Sequence, residues 1–186
     1  MKTTLIFLLL STSATTAQAC DPVDSDRVLK LVRTTATEEE LDPDLALAVV
    51  DVESSGGRHQ VSDAGAVGIM QLMPETASDY GVTDRCDPES NIRAGVRYLK
   101  KLYSKFDDPL LMLAAYNAGP ERVYQKGGIP EFSETAQYIV KVMNRWTLNA
   151  KASAAEEKRR GNSDVRKETV ALAPSPWRDQ HVWTAD

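Results

Sequence analysis

Apolar residues recur every three to four positions over most of this chain and almost nowhere alternate with period two, a pattern that predicts helices joined by short turns. Residues 24–37 set Val28, Leu29, Leu31 and Val32 among charges and predict a first helix. The next one has a clearer start: Asp42 can cap it, Pro43 suits its first turn, and Asp44 favours the positive end of the helix. The run Leu45-Ala46-Leu47-Ala48-Val49-Val50-Asp51-Val52-Glu53 is apolar around most of its circumference, which predicts a central position. Gly56-Gly57 stops it.

Short helical pieces are expected at Gly68–Met73 and Pro74–Tyr80, with Pro74 between them. Residues 89–106 carry Ile92, Val96, Leu99, Tyr103 and Phe106 along one face and predict the longest helix. Another spans 109–116 and breaks at Asn117-Ala118-Gly119-Pro120. A last helix starts near Ser133 and carries Ala136, Ile139, Val140, Met143 and Trp146. The fold class is therefore all-α.

Composition divides the chain of 186 residues into three parts. Lys2, the apolar run Leu5–Leu10 and the small-residue ending Ala17-Gln18-Ala19 read as a secretory signal peptide over 1–19. Residues 20–150 suffice for one domain with a real core. Residues 151–186, alanine-rich, then charged, then Ala173-Pro174-Ser175-Pro176, are expected to form a flexible polar tail, helical only weakly at its start. Trp177 and Trp183 are unusual in such a segment and leave two uses open, packing back on the domain or docking to another protein.

Export makes the location periplasmic. It also gives the two cysteines, Cys20 and Cys86, a use as a disulfide tying the N-terminus to the domain. Lipidation of Cys20 is the competing fate. It is disfavoured by Ala17, which stands where a lipoprotein signal favours a larger aliphatic residue.

Residues 20–150 hold 21 acidic and 14 basic side chains, with no Lys/Arg cluster. That argues against nucleic acid as a partner. A polymer substrate would be held by groove shape and hydrogen bonds. His59 and His181 join no cluster of metal-ligand spacing, so neither a metal nor another cofactor is expected.

Glu53 is the chemical anomaly. It lies four residues after Val49 and eight after Leu45, so a face that carries core side chains also carries a carboxylate. Burial disfavours its charged form, and so does a place near a helix C-terminus. Both effects suit a general acid that stays protonated near neutral pH. The residues alone leave open a pairing with arginine or with loop amides. Asp51 cannot be its partner, since residues two apart do not share a helix face, so the paired carboxylates of most glycosidases are not legible here.

Four motifs stand in order: Glu53-Ser54; Ser62 with Gly65-Ala66-Val67-Gly68-Ile69-Met70-Gln71-Leu72-Met73-Pro74; Ala115-Tyr116-Asn117-Ala118-Gly119-Pro120; and Glu134-Thr135-Ala136-Gln137-Tyr138. Over roughly residues 40–148 the chain resembles the lysozyme-like lytic transglycosylases of the soluble-transglycosylase type. The resemblance implies a goose-type lysozyme-like helical domain with a glycan-binding groove. It also implies cleavage of the β-1,4 bond between N-acetylmuramic acid and N-acetylglucosamine, leaving 1,6-anhydromuramyl ends. Glu53 is then the single acid and base. Ser62, Gln71, Met73, Tyr116, Asn117 and Tyr138 are then substrate-binding, Tyr138 reaching the glutamate with its hydroxyl.

The run Ser55-Gly56-Gly57-Arg58-His59 is less bulky than in some relatives, which affects subsite contacts rather than the chemistry. A hydrolytic muramidase of the same fold and a non-catalytic scaffold that binds glycan remain alternatives. The expected partners of this monomer are peptidoglycan strands. A small exported domain with a tail also resembles the wall-opening components of conjugation or type IV secretion machines, which the tail would contact.

Overall fold

The computed structural model describes residues 20–56 and 61–172, without the side chains of 163–172. The expected signal peptide over 1–19, His59, His181, Trp177 and Trp183 lie outside the described residues. Among the described residues seven helices follow one another: α1 (Ser25–Glu38), α2 (Pro43–Ser54), α3 (Pro74–Asp79), α4 (Pro88–Phe106), α5 (Pro109–Ala118), α6 (Pro120–Lys126) and α7 (Ser133–Leu172). The described fold is all-α, and its only extended pairings are isolated bridges of Val67 with Val61 and with Leu72.

Five of the seven helices begin with proline. Proline suits that position because its fixed φ is helical and its missing N–H would have had no partner there. Asp42, Asp87 and Asp108 precede three of these prolines and accept from the first free backbone amides. The same logic explains α6, which the sequence reading did not expect. Pro120 stops α5 and also opens the next helix.

α2 is central. Every residue from Leu45 to Val50 is buried, and α1 and α7 pack on it. Polar bonds fix α7 against the start of α2. Trp146 Nε1 donates to Asp42 Oδ2 at 2.8 Å, Asn149 Nδ2 to the Asp44 carbonyl at 3.1 Å, and Ser153 Oγ to Asp44 Oδ1 at 2.8 Å. α4 packs on α1 and α5, bringing Ile92, Val96, Leu99 and Leu102 into the same core.

Two expectations change. Gly68–Met73 is a compact turn rather than a helical piece. Gly68 and Gln71 have φ of 88° and 47°, outside the right-handed helical region. Residue 150 marks no break in α7, which continues to Leu172. The composition shift that suggested a tail is made of good helix formers, and Glu156 pairs with Arg160 one turn on at 2.7 Å. The Cys20–Cys86 disulfide is formed and joins the chain ahead of α1 to the segment before α4.

Candidate active site

Glu53 stands in the last turn of α2, where Ser55 ends the helix in the left-handed conformation. The residue keeps part of its surface open, but its carboxyl is deep enough that burial raises its pKa from an ordinary 4.5 to about 7. The Tyr138 hydroxyl opposes this shift. That hydroxyl is buried and makes no hydrogen bond of good geometry among the described residues. It stands close enough to the Glu53 carboxyl for each group to influence the other's ionisation. No second carboxylate shifts Glu53.

Two phenols wall this carboxyl. Tyr138 is held by the first turns of α7, beside buried Thr135, Ile139 and Val142. Tyr116 comes from α5 and donates from its hydroxyl to the Met70 carbonyl at 2.7 Å. Burial, and then the neighbouring Glu53, pushes both phenols well above their ordinary range, so both stay protonated. The Tyr98 ring lies 5.4 Å from that of Tyr116 and extends the aromatic wall towards Tyr80 at 6.1 Å.

Asn117 follows Tyr116, and its Oδ1 accepts from Thr135 Oγ1 at 2.9 Å. This bond turns the amide donors away from Thr135. Beside it an open depression of about 620 Å³ is bordered by Asn117, Arg122, Phe132 and the start of α7.

The remaining predicted residues belong to the turn over 61–73. Ser62 Oγ accepts from the Ala66 amide at 2.9 Å, and Gln71 Nε2 donates to the Gly68 carbonyl at 2.8 Å. Both therefore shape the turn itself. Met73 is exposed and immediately precedes α3. Of the predicted residues the structure brings Tyr116 and Tyr138 beside Glu53 and places Ser62, Gln71 and Met73 on the turn, and it adds Arg85, Asn91, Tyr98 and Thr135, which the sequence reading does not single out. One signal was available for Asn91, a polar residue beside Ile92 on the buried side of α4.

Among the described residues no group of three or more His, Cys, Asp or Glu could hold a metal ion. No described helix is long and apolar enough to cross a membrane.

The motifs can now be set beside known proteins. The chain is 44% identical over 79 residues to the transglycosylase of Enterobacteria phage PRD1, covering 42% of this chain and 30% of that one. It is 36% identical over 127 residues to membrane-bound lytic murein transglycosylase F of Desulfosudis oleivorans, covering 64% and 27%. Among solved structures it is similar to an inactive glutamate-to-glutamine mutant of lytic transglycosylase Slt from Pseudomonas aeruginosa. That match has a TM-score of 0.60 and 29% identity over 68% of this chain and 24% of the other. The 70-kDa soluble lytic transglycosylase of Escherichia coli gives a TM-score of 0.57 and 27% identity, over 67% and 24%. The chain thus spans less than a third of the length of each of these relatives. The model of the transglycosylase SLT domain matches residues 30–139, more than half of the sequence, and the chain belongs to that family.

Proposed function

We propose that this chain is a periplasmic lytic transglycosylase that cuts peptidoglycan glycan strands, with Glu53 as its only protein acid and base. The observation that carries this reading is a carboxyl that burial raises to about 7, between two protonated phenols and with no carboxylate partner shifting it. The names of its relatives support the polymer, and the glutamine mutant described as inactive supports a glutamate as catalyst.

The chemistry follows from having one acid. Protonated Glu53 gives its proton to the glycosidic oxygen as the bond from that oxygen to the muramyl anomeric carbon breaks. The muramyl 2-acetamido group stabilises the electron-poor carbon, a task that a second carboxylate performs in most glycosidases. Ionised Glu53 then takes the proton of the sugar's own C6 hydroxyl, whose oxygen bonds to the anomeric carbon and closes a 1,6-anhydro ring. No water is consumed. Tyr116 and Tyr138 would exclude water from this carbon, while Ser62, Gln71, Met73 and Asn117 would line the sugar path.

Digestion of purified peptidoglycan tests the reading. Anhydromuramyl ends, lighter by one water than hydrolytic ends, are expected from the parent and not from Glu53→Gln. Reducing ends alone would make the chain a hydrolytic muramidase, and undiminished digestion by Glu53→Gln would remove that residue as the catalyst.

A secretion or conjugation partner is the second part of the proposal. It rests on the outer part of α7, where every side chain from Ala154 to Asn162 is exposed. This stretch would present the segment beyond it to a protein partner, with the enzyme acting as a monomer. Binding of the machine's components should then be lost, and digestion kept, when 154–186 are deleted.

A further inference from the structure

The turn between Gly65 and Leu72 takes its shape from two side chains that the proposed chemistry does not use. Arg85 Nη1 donates to the Gly65 carbonyl at 2.7 Å and to the Leu72 carbonyl at 2.9 Å, so one nitrogen ties the two ends of the turn together. Asn91, wholly buried in α4, holds the middle. Its Oδ1 accepts from the Met70 amide at 2.8 Å, and its Nδ2 donates to the Val67 carbonyl at 3.0 Å. The same nitrogen donates to the Arg85 carbonyl at 2.8 Å, which links the two straps.

The other side of the Met70 residue faces the site. Its carbonyl receives the Tyr116 hydroxyl, and Tyr116 interacts electrostatically with Glu53. A continuous set of bonds therefore runs from Asn91 through Met70 to the phenol beside the acid.

Arg85 has no carboxylate within ion-pair distance among the described residues. Its charge is committed to backbone carbonyls, which makes these bonds strong for their number. The straps also close on bare backbone. A Cβ on Gly68 would stand 2.3 Å from Asn91 Nδ2 and 2.4 Å from the Arg85 carbonyl.

We infer that Arg85 and Asn91 are positioning residues for the reaction at Glu53, because by holding the turn that carries the Met70 carbonyl they fix where the Tyr116 hydroxyl stands. The inference rests on the reading of Glu53 as the acid. A displacement of about 1 Å at such a wall can cost on the order of 10²-fold in rate, so a strap remote from the sugar can matter as much as a direct contact.

The test uses the disulfide-bonded protein on soluble, uncrosslinked glycan strands, with Arg85→Gln, Arg85→Lys, Tyr116→Phe and the double variant Arg85→Gln/Tyr116→Phe. Arg85→Gln should lower kcat about tenfold or more with little change in KM, and Arg85→Lys should restore part of the loss. The double variant should lose no more than the worse single variant, because both act through the position of the Met70 carbonyl. A loss confined to KM, or a double loss equal to the product of the single ones, overturns the inference.

Amide hydrogen exchange gives a readout that needs no activity. Met70 and Leu72 should exchange about tenfold faster or more in Arg85→Gln while the amides of α2 keep their parental rates. Unchanged exchange at Met70 and Leu72 overturns the strap. If Arg85→Gln does not fold, Arg85→Lys carries the same measurements. If the parent makes no anhydromuramyl ends, the enzymatic reading fails, and the exchange rates still decide whether the straps hold the turn.

Discussion

α2 and the turn over 61–73 both border the site and both bury apolar side chains, but side-chain bonds from distant residues tie the turn's backbone along its length and that of α2 at its start, at Asp44. α2 is fixed by burial: six consecutive residues from Leu45 to Val50 lie in the core, and Glu53 inherits its place from them. The turn also buries Val67, Ile69, Met70 and Leu72, and to that burial it adds directed bonds from Arg85 and Asn91 to its backbone, with the Cys20–Cys86 disulfide at the residue next to Arg85. Burial is non-directional and suits an element that must carry a desolvated acid. Directed bonds suit a segment that must present particular backbone atoms to a phenol or a sugar.

The sharpest way to test this division is to change the chemistry of α2 without its packing. Glu53→Gln should lower glycan cleavage by about 10²–10⁴-fold, measured as anhydromuramyl ends released per unit time. It should also be more stable than the parent at neutral pH. The folded-state pKa of Glu53 lies above its ordinary value, so its contribution to stability is complete below pH 4.5 and is lost as pH rises to about 7. Urea midpoints of the parent should fall across that window by an amount equivalent to roughly 1–3 kcal/mol, and those of Glu53→Gln should lack this component. Parental kcat/KM should fall as pH rises above about 7, because the acid is then deprotonated.

Reducing the disulfide probes the other region. It reopens a link between residues 66 apart in sequence, and stability should drop by about 4 kcal/mol, read as a shift of the urea midpoint. A matched pair of smaller changes then compares packing with directed bonding. Leu45→Ala, in the buried run of α2, and Gly68→Ala, at φ +88° against Asn91, should each cost about 3 kcal/mol. Activity per folded molecule should survive Leu45→Ala and fall in Gly68→Ala; equal activity in the two would erase the distinction. The smallest effect is expected from deleting 154–186, which should leave cleavage rates within about twofold, since the described side chains of that segment, 154–162, are all exposed.

The same division explains what was legible in the sequence. Periodicity finds burial, so it found α2, the apolar face of α4 and the misplaced carboxylate at Glu53. The capping aspartates and N-terminal prolines announced helix starts. Periodicity is silent about side chains that bond to backbone far away in sequence. Arg85 sits in the polar stretch Thr83-Asp84-Arg85-Cys86-Asp87, and nothing there points to carbonyls 13 and 20 residues earlier. The turn itself was misread because its apolar residues have helix-like spacing, while the positive φ of Gly68 and Gln71 is a property of geometry rather than of pattern. Pro120 was read as a terminator because that rule is local, and the helix it opens depends on the residues that follow.

α7 has a mechanical consequence of its own. Its 40 residues correspond to a contour of about 60 Å at 1.5 Å per residue, twice the span of a 20-residue helix. Its first turns hold Tyr138 beside the acid and its middle is bonded to Asp44. The remainder forms a strut that sets a minimum distance between Glu53 and whatever the far end engages. Under the proposed function, a body tethered at Leu172 would be kept clear of the glycan strand, so that recruitment and cutting could occur at the same time.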